Sequence, residues 1–406
     1  TGSMSATRFV HTATLLTNGL VLVVGGYGGG GYRASAELYN PATGLWTPTG
    51  SLTGARYDHT ATLLPNGKVL VAGGNGPAWL TACELYDPVA GTWAATGSLT
   101  TARVETTAAL LTNGLVLIAG GRDSAGNSLA SAELYNPANG TWAATGNLSA
   151  IRAGHRTAAL SDGRILIVGG YGNFASQTHL ATADLYDPAT GTWSATGSLN
   201  AARQYATATK LPNGQVLTTG GNSGTQLTST ELFTAATGVW TNAGSLLTGR
   251  YFHTATLLND GRTLLVGGQL TAGTALSTAE LFTDPTNPPA VFVQPGGQSL
   301  VAGASATLSV TAGGSGTLTY QWRSNGVNIA GATAATLTLT LTNVQTAFSA
   351  SYDVLVTNSL GSITSSVAQL DVNVPAITAQ PRSQTLYAGN NLILGAGVSG
   401  GLLNYQ

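Results

Sequence analysis

Four histidines of this chain occupy one repeating position, three residues after an arginine: His11, His59, His155 and His253. Imidazoles brought together in this way could bind a metal ion. Two further repeats carry Thr106 and Ala206 at that position, so duplication of a structural segment explains the histidines without a ligand. The sequence therefore predicts no metal site and no cofactor.

Paired carboxylates for acid–base catalysis have little support. Only Asp58, Glu105 and Asp123 are acidic residues that stand outside the repeating pattern and near predicted variable loops. The single cysteine, Cys83, stands where other repeats have alanine, which indicates a small buried residue and not a reactive thiol. The glycine-rich stretch 25–31 precedes no predicted helix, so it is not a phosphate-binding loop. We predict no catalytic residue and no enzymatic activity.

The composition excludes several classes of partner. Only 8% of the 406 residues are charged, against about 25% in an average soluble domain. The formal net charge is −1 and no basic stripe is present, which argues against nucleic-acid binding. No apolar run approaches the roughly 18 residues of a membrane span. The length leaves room for two or three domains.

A pair of glycines recurs six times, at intervals of 47 to 51 residues. Periods of this size indicate propeller blades, solenoid turns or arrays. Each unit is predicted to contain four short strands, A to D, with an Asn-Gly or Asp-Gly turn between A and B. The glycine pairs that end strand B are Gly25-Gly26, Gly73-Gly74, Gly120-Gly121, Gly169-Gly170, Gly220-Gly221 and Gly267-Gly268.

Three further residue types recur in phase and are predicted to be structural. An arginine precedes strand A: Arg8, Arg56, Arg103, Arg152, Arg203 and Arg250. An acid begins the Glu-Leu-Tyr motif of strand C: Glu37, Glu84, Glu133, Asp184, Glu231 and Glu280. A tryptophan lies in strand D: Trp46, Trp93, Trp142, Trp193 and Trp240. Because a half-buried charge needs a partner, we expect the arginines and acids to pair within or between blades.

The double glycine, the strand-C tyrosine and the strand-D tryptophan together resemble the kelch repeat. The resemblance implies an all-β fold that opens with a six-bladed β-propeller over residues 1–286. The sixth repeat lacks its own tryptophan strand, while residues 1–4 resemble the end of one. We expect a strand that precedes residue 1 to complete this sixth blade. The alternative is that residues 290–293 form its fourth strand. A seventh blade, upstream of the six, is a further possibility.

From residue 289 to 374 the sequence alternates Thr, Val and Leu around Trp322 and Tyr352. On this pattern, residues 287–374 resemble the immunoglobulin-like domains of bacterial surface proteins. The resemblance implies a β-sandwich in which Trp322 is the core tryptophan and Tyr352 begins strand F. Leu308 and Val354 stand where antibody domains have their cysteines. Residues 375–406 repeat the opening of that domain, with Tyr405-Gln406 parallel to Tyr320-Gln321, so we expect an incomplete second domain.

The predicted topology favours one face of the propeller as the location of a binding site. The A–B and C–D turns are nearly identical between repeats, whereas the B–C loops and D–A connections vary and should share the other face, which we call the variable face. Aromatic rings beside polar groups suit sugars or protein surfaces. The candidate ligand-binding residues are Tyr27, Tyr32, Tyr57, Asp58, Trp79, Arg122, Asp123, Tyr171, Phe174, Tyr251 and Phe252.

Together these features predict a non-enzymatic extracellular or cell-surface protein with a structural or adhesive role. The propeller would bind a protein or glycan, or copies of the chain itself, and the immunoglobulin-like domains would act as a stalk. The alternatives are a glycan-binding module of a larger secreted enzyme and a subunit of an extracellular filament. Galactose oxidase has the same domain layout, but its copper ligands have no counterparts here.

Overall fold

A computed structural model of the chain describes all residues except 177, 272, 285–287, 302–303, 341–347, 374–375, 390 and 400–406. The described residues form β-strands and no α-helix. None of them therefore builds a helix that is long and apolar enough to cross a membrane. The chain divides into two compact units, Thr1–Thr256 with Leu264–Leu281, and Leu257–Thr263 with Phe282–Gln406.

Five antiparallel sheets of the first unit share the strand order A-B-C-D. Strands A are Thr12–Leu15, Thr60–Leu63, Thr107–Leu110, Arg156–Ala159 and Thr207–Lys210. Strands B are Val21–Val24, Val69–Ala72, Val116–Ala119, Ile165–Val168 and Val216–Thr219. Strands C are Ala36–Asn40, Cys83–Asp87, Ala132–Asn136, Ala183–Asp187 and Ser229–Thr234. Strands D are Leu45–Thr49, Thr92–Thr96, Thr141–Thr145, Thr192–Thr196 and Val239–Ser245. The strands A of sheets 1 to 5 contact one another in succession, so these strands are innermost.

The sixth sheet has three strands in the described part of the chain: Thr254–Leu257, Thr263–Val266 and Ala279–Phe282. Short hairpins extend the B–C loops of sheets 1 and 6, at Tyr27–Gly28 with Gly31–Tyr32 and at Gln269–Thr271 with Thr274–Ala275. The alternative prediction, that residues 290–293 form the fourth strand of the sixth blade, was wrong. Ala290–Val293 pairs with Thr311–Gly313 of the second unit instead.

The double glycines let neighbouring sheets approach closely. Gly25 and Gly26 both have left-handed backbones, with φ of 67° and 98°. The Gly26 amide donates to the Arg56 carbonyl of the next sheet at 2.8 Å. A Cβ on Gly25 would lie 2.6 Å from that same carbonyl oxygen. Glycine is therefore required by both conformation and space.

Each arginine that precedes strand A fastens its own sheet. Arg8 Nη1 donates to the carbonyls of Gly25 and Ser35 at 2.9 Å, and Nη2 donates to Glu37 at 2.8 Å. The five other repeats form the same ion pair, in each case with the acid of their own strand C. Burial is the main cause that lowers the pKa of Arg56, and Glu84 opposes it. These charges hold the scaffold together and are not displayed to solvent.

The outer strands are tied to the preceding sheet. Trp93 Nε1 donates to the Gly50 carbonyl at 2.8 Å, and Tyr86 shares a 2.7 Å hydrogen bond with Thr49. The tryptophan bond recurs at Trp46, Trp142 and Trp240. Apolar cores fill the space between successive sheets, as in the cluster of Leu22, Val24, Val69 and Val71.

The second unit contains a six-stranded sheet and smaller pairs. The larger sheet is built from Gln298–Val301, Ala368–Asn373, Ala350–Asn358, Thr319–Ser324, Val327–Asn328 and Gly361–Thr364. Ser305–Ser309 pairs with Thr336–Thr340. Trp322 is fully buried among Leu308, Val354 and Val356, and the Tyr352 hydroxyl donates to the Phe348 carbonyl at 3.3 Å.

The last described strands are Ala376–Ala379 and Gly397–Ser399, which pair with each other. Residues 380–389 between them are exposed and contain no strand. The predicted parallel between Tyr405-Gln406 and an earlier core strand lies outside the described residues.

Candidate functional site

The B–C loop and the D–A connection of each sheet lie together. The residue after each repeating arginine forms a bridge with the residue after the double glycine of the same sheet, as Phe9 does with Tyr27 and Val104 with Arg122. On the other side, the A–B and C–D turns line a shared groove that includes Asn66, Asn113 and Asn136. The two predicted faces are therefore present, and the candidate residues share the variable face.

A row of residues at the start of the innermost strands runs from sheet to sheet. This axial row holds the residues two positions after each arginine: Val10, Asp58, Glu105, Gly154, Tyr205 and Phe252. Backbone N–H to C=O hydrogen bonds of 2.9 to 3.1 Å connect four of the five pairs of consecutive residues in this row. At the remaining joint, the Glu105 amide donates to the Asp58 carboxylate at 3.1 Å.

The axial row is conformationally strained. Its five non-glycine members all have left-handed backbones, with φ between 51° and 56°. Such conformations are uncommon outside glycine, and they are found at ligand sites that the surrounding structure holds in place. Here the inter-sheet hydrogen bonds hold them, so the side chains of the row are presented at one end of the innermost strands.

Glu105 is the centre of a polar cluster on this row. Its Oε1 accepts a 3.1 Å hydrogen bond from Arg122 Nη2, and its Oε2 accepts one from the Tyr171 hydroxyl. The Tyr205 hydroxyl also interacts with Glu105. Arg156 donates to the His155 carbonyl at 2.9 Å. The cluster draws residues from sheets 2 to 5 into one place.

Burial and charge shift the titration of this polar cluster. The pKa of Asp58 is raised to about 7, by burial first and then by the nearby Glu105 charge. Burial likewise lowers the pKa of Arg156, although Asp58, Tyr205 and Glu105 oppose this. Burial and Glu105 raise the pKa of Tyr171. At neutral pH Asp58 is thus partly protonated and can donate as well as accept a hydrogen bond.

Aromatic rings surround the polar cluster. The Arg122 guanidinium lies 4.2 Å from the Phe174 ring centroid and 5.2 Å from that of Trp79, within cation–π range. On sheets 1 and 2, Tyr32 stacks on Tyr57 with centroids 5.8 Å apart, and Tyr27 contacts both edge-on.

The aromatic surface continues on sheets 4 to 6. Phe252 lies 4.0 Å from Tyr205 and 5.0 Å from Tyr251, centroid to centroid. Tyr32, Phe174 and Phe252 are each more than two-fifths exposed, whereas Tyr171 and Tyr251 are buried. The exposed rings, and not the buried ones, could contact a ligand.

Asp123 has a local structural use. Its carboxylate accepts hydrogen bonds from the amides of Ala125 at 3.0 Å and Asn127 at 2.8 Å, which closes its own loop. The structure does not bring it into the polar cluster.

Three of the four repeating histidines, His59, His155 and His253, connect neighbouring sheets. His59 Nε2 bonds Thr12 at 2.9 Å and His155 Nε2 bonds Thr107 at 3.0 Å. Burial, and then the charge of Arg56, lowers the pKa of His59 to about 3. Among the described residues, no group of three or more His, Cys, Asp or Glu side chains could hold a metal ion. Cys83 is buried, which raises the pKa of its thiol to about 11.

Arg156 was not among the candidate residues predicted from the sequence. A signal was present, because five repeats place threonine at this position: Thr12, Thr60, Thr107, Thr207 and Thr254. Glu105 could be recognised in the sequence as an acid outside the repeating pattern, and Tyr205 as an aromatic residue in a D–A connection. Their meeting with Arg122 and Tyr171 depends on the packing of separate sheets.

Comparisons with known proteins agree with this fold. Residues 8–53, 106–149 and 152–200 match the Kelch motif. The solved structure of YjhT aligns with 68% of this chain and 95% of its own, at a TM-score of 0.57 and 14% identity, a similarity that concerns the fold alone. A search of curated proteins gives no significant match. The chain therefore carries Kelch motifs within an all-β, β-propeller-like fold.

Proposed function

We propose that this chain is a non-enzymatic adhesion protein of the cell surface or extracellular space. Its propeller, completed as six blades, binds a partner protein or glycan through the variable face. The second unit, as immunoglobulin-like modules, acts as a stalk. The observation that supports this proposal most is the polar cluster around Glu105, where residues that break the repeat converge on one face of a repeating scaffold.

The charge distribution agrees with binding through this face. The repeating arginines and acids form buried ion pairs with one another inside the sheets, so their charged groups are not accessible to a partner. In contrast, Arg122 and Glu105 keep part of their side chains exposed, at 18% and 14%. Exposed aromatic rings beside charged groups are typical of the anchor residues of binding surfaces.

A glycan-binding module of a larger secreted enzyme is the second candidate. It is favoured by the exposed rings of Tyr32 and Phe174, because an aromatic face stacks on the apolar face of a sugar ring. Both candidates place the ligand on the variable face. They differ in whether a sugar alone is sufficient for binding.

An array of immobilised glycans and purified cell-surface proteins tests the proposal. We expect the wild-type chain to bind at least one class of target. A triple variant, Tyr32→Ser, Phe252→Ser and Arg156→Gln, should bind that target at least tenfold more weakly. Val89→Ser is the matched control, because Val89 is 96% exposed on a C–D turn of the other face.

The melting temperatures of both variants should first be shown to match that of the wild type within a few degrees. Equal losses in the triple variant and the control would contradict binding through the variable face. Conversion of a bound glycan into products would contradict the non-enzymatic part of the proposal.

A further inference from the structure

A groove separates the B–C loops of sheets 3 and 4 on the variable face. Its volume is about 350 Å³, near the lower end of the range for small-molecule pockets. Its lining includes Asn127 and Ser128 from one loop, Asn173 and Phe174 from the other, and Ile151 from the connection between the sheets. The groove lies beside the polar cluster around Glu105 but contains none of that cluster's residues.

Ser128 gives the first indication of a ligand. The side chain is in a residue only 7% exposed, and its hydroxyl has no hydrogen-bond partner in the described structure. Buried hydroxyls nearly always have a partner, since an unpaired one loses its bonds to water without compensation. Because the oxygen itself is screened from the groove, a ligand hydroxyl would supply that partner once the Ser128 side chain rotates toward the groove.

Two asparagine amides are held in defined orientations. The Asn173 Oδ1 accepts hydrogen bonds from the amides of Ala175 at 2.8 Å and Ser176 at 3.2 Å, which leaves its Nδ2 as an available donor. The Asn127 Nδ2 donates to Asp123 at 3.3 Å, which leaves its Oδ1 to accept. The groove thus offers one fixed donor and one fixed acceptor.

The lining of the groove also includes large apolar side chains. Phe174 is 45% exposed, and the Arg122 guanidinium lies 4.2 Å from its ring centroid, which restrains the ring. Ile151 is 47% exposed. A pyranose ring combines apolar C–H faces with hydroxyls at its edge, and it would match both kinds of surface.

We propose that this groove binds an uncharged saccharide of one or two pyranose rings. The described residues that line it include no Asp, Glu, Lys, Arg or His, so a charged sugar would find no ion-pair partner among them. Phe174 would stack on the ring, while Ser128, Asn127 and Asn173 would bind its hydroxyls. The proposal deepens the proposed function, on which it rests for placing ligand contacts on the variable face.

Saturation-transfer NMR with the full chain provides the test. The probes are methyl β-glucopyranoside, methyl β-galactopyranoside, the disaccharide of N-acetylglucosamine, and glucuronate as a charged comparison. We expect at least one neutral probe to bind with a dissociation constant of roughly 0.1–10 mM, and glucuronate to bind more weakly. Phe174→Ala should weaken the neutral probe at least tenfold.

Ser128→Ala makes the test independent of folding. Because the hydroxyl has no protein partner, this variant should weaken the saccharide several-fold without lowering the melting temperature. Val89→Ser, on the other face, should bind like the wild type.

Each contrary result has a distinct meaning. Absence of binding by all neutral probes, or unchanged binding in both groove variants, would overturn the groove proposal. If Arg156→Gln alone abolished saccharide binding, the ligand would belong to the polar cluster around Glu105, and the proposed function would stand. Loss of array binding in the control as well as in the triple variant would overturn the proposed function itself.

Discussion

At the scale of single residues, the same chemical groups have two different uses in this chain. Arg103 and Glu133 form a fully enclosed pair at 2.7 Å, while Arg122 and Glu105 form a partly exposed pair at 3.1 Å. The first pair recurs in every repeat, and the second occurs once. Burial and repetition therefore separate residues that hold the scaffold from residues available to a ligand.

The buried pair gives a prediction on stability. Arg103→Met should lower the free energy of unfolding by about 3–5 kcal/mol, because Glu133 would keep a buried charge without its partner. Arg164→Met is the matched control, since Arg164 pairs with Asp162 in an exposed turn and should change stability by less than about 1 kcal/mol. Urea unfolding of both variants measures the difference, and equal effects would contradict the structural assignment of the repeating pairs.

Asp58 gives a prediction on pH. Its folded pKa, about 7, lies above that of an unfolded aspartate, so the folded state binds more protons between pH 4 and 7. Stability should therefore fall as pH rises through this window. Relative to Asp58→Asn, the wild type should lose at most about 1.4 kcal/mol per pH unit there, and then remain level.

Comparison with the asparagine variant removes the opposite effect of the buried histidines. His59 is neutral in the folded state, so its contribution is lost as pH falls below the unfolded pKa of 6.5. Thermal melts of both proteins from pH 4 to 8 measure the difference. A constant offset across this range would show that Asp58 titrates normally.

At the scale of elements, close approach of sheets explains the double glycine. Gly73 has a φ of 66°, and a Cβ there would lie 2.8 Å from the Arg103 carbonyl oxygen of the next sheet. Gly126 also has a positive φ, 88°, but a Cβ there would meet no atom within 4 Å. An alanine at either position would be conformationally strained, but only the one in the double glycine would also clash with a neighbouring atom.

This pair gives a prediction on packing. Gly126→Ala should cost about 1–2 kcal/mol, the strain of a left-handed alanine. Gly73→Ala should cost at least about 1–3 kcal/mol more, because the sheets must also move apart. Chemical denaturation measures both variants, and an equal cost would mean that the sheets yield freely at this contact.

The elements were largely predictable from the sequence, whereas the polar cluster was only partly so. Alternating residues, Asn-Gly turns and glycine pairs are local signals, and they marked strands A to D of five sheets. Arg156 stands in a predicted strand, and its meeting with Glu105 depends on side-chain contacts between sheets. The groove at Ser128 could not be predicted, since an unpaired buried hydroxyl is visible only in three dimensions.

At the scale of the whole molecule, the sixth sheet differs from the others. Ala279 is exposed at its edge, although its counterparts Ala36, Ala132 and Ala183 are at most 2% exposed beneath a strand D. Exposed sheet edges can accept a strand from another molecule. This feature supports the filament hypothesis, which stays a prediction to be tested.

Light scattering and electron microscopy distinguish a filament subunit from a monomeric adhesion protein. For an adhesion protein we expect the mass of a single chain over a hundredfold range of concentration. Growth of the mass with concentration, together with regular assemblies in the microscope, would favour a filament subunit and contradict the monomeric adhesion protein. Leu281→Lys should then abolish growth by placing a charge on the open edge.

The direction of the contacts between sheets has a consequence for the history of such a chain. The amide of the second glycine in one repeat always meets the arginine carbonyl of the following repeat, from Gly26 and Arg56 to Gly221 and Arg250. Every junction thus uses the same donor and acceptor, so any repeat can follow any other. Gene duplication could lengthen, shorten or reorder the array, while the loops of each copy diverged toward different ligands at no cost to the joints.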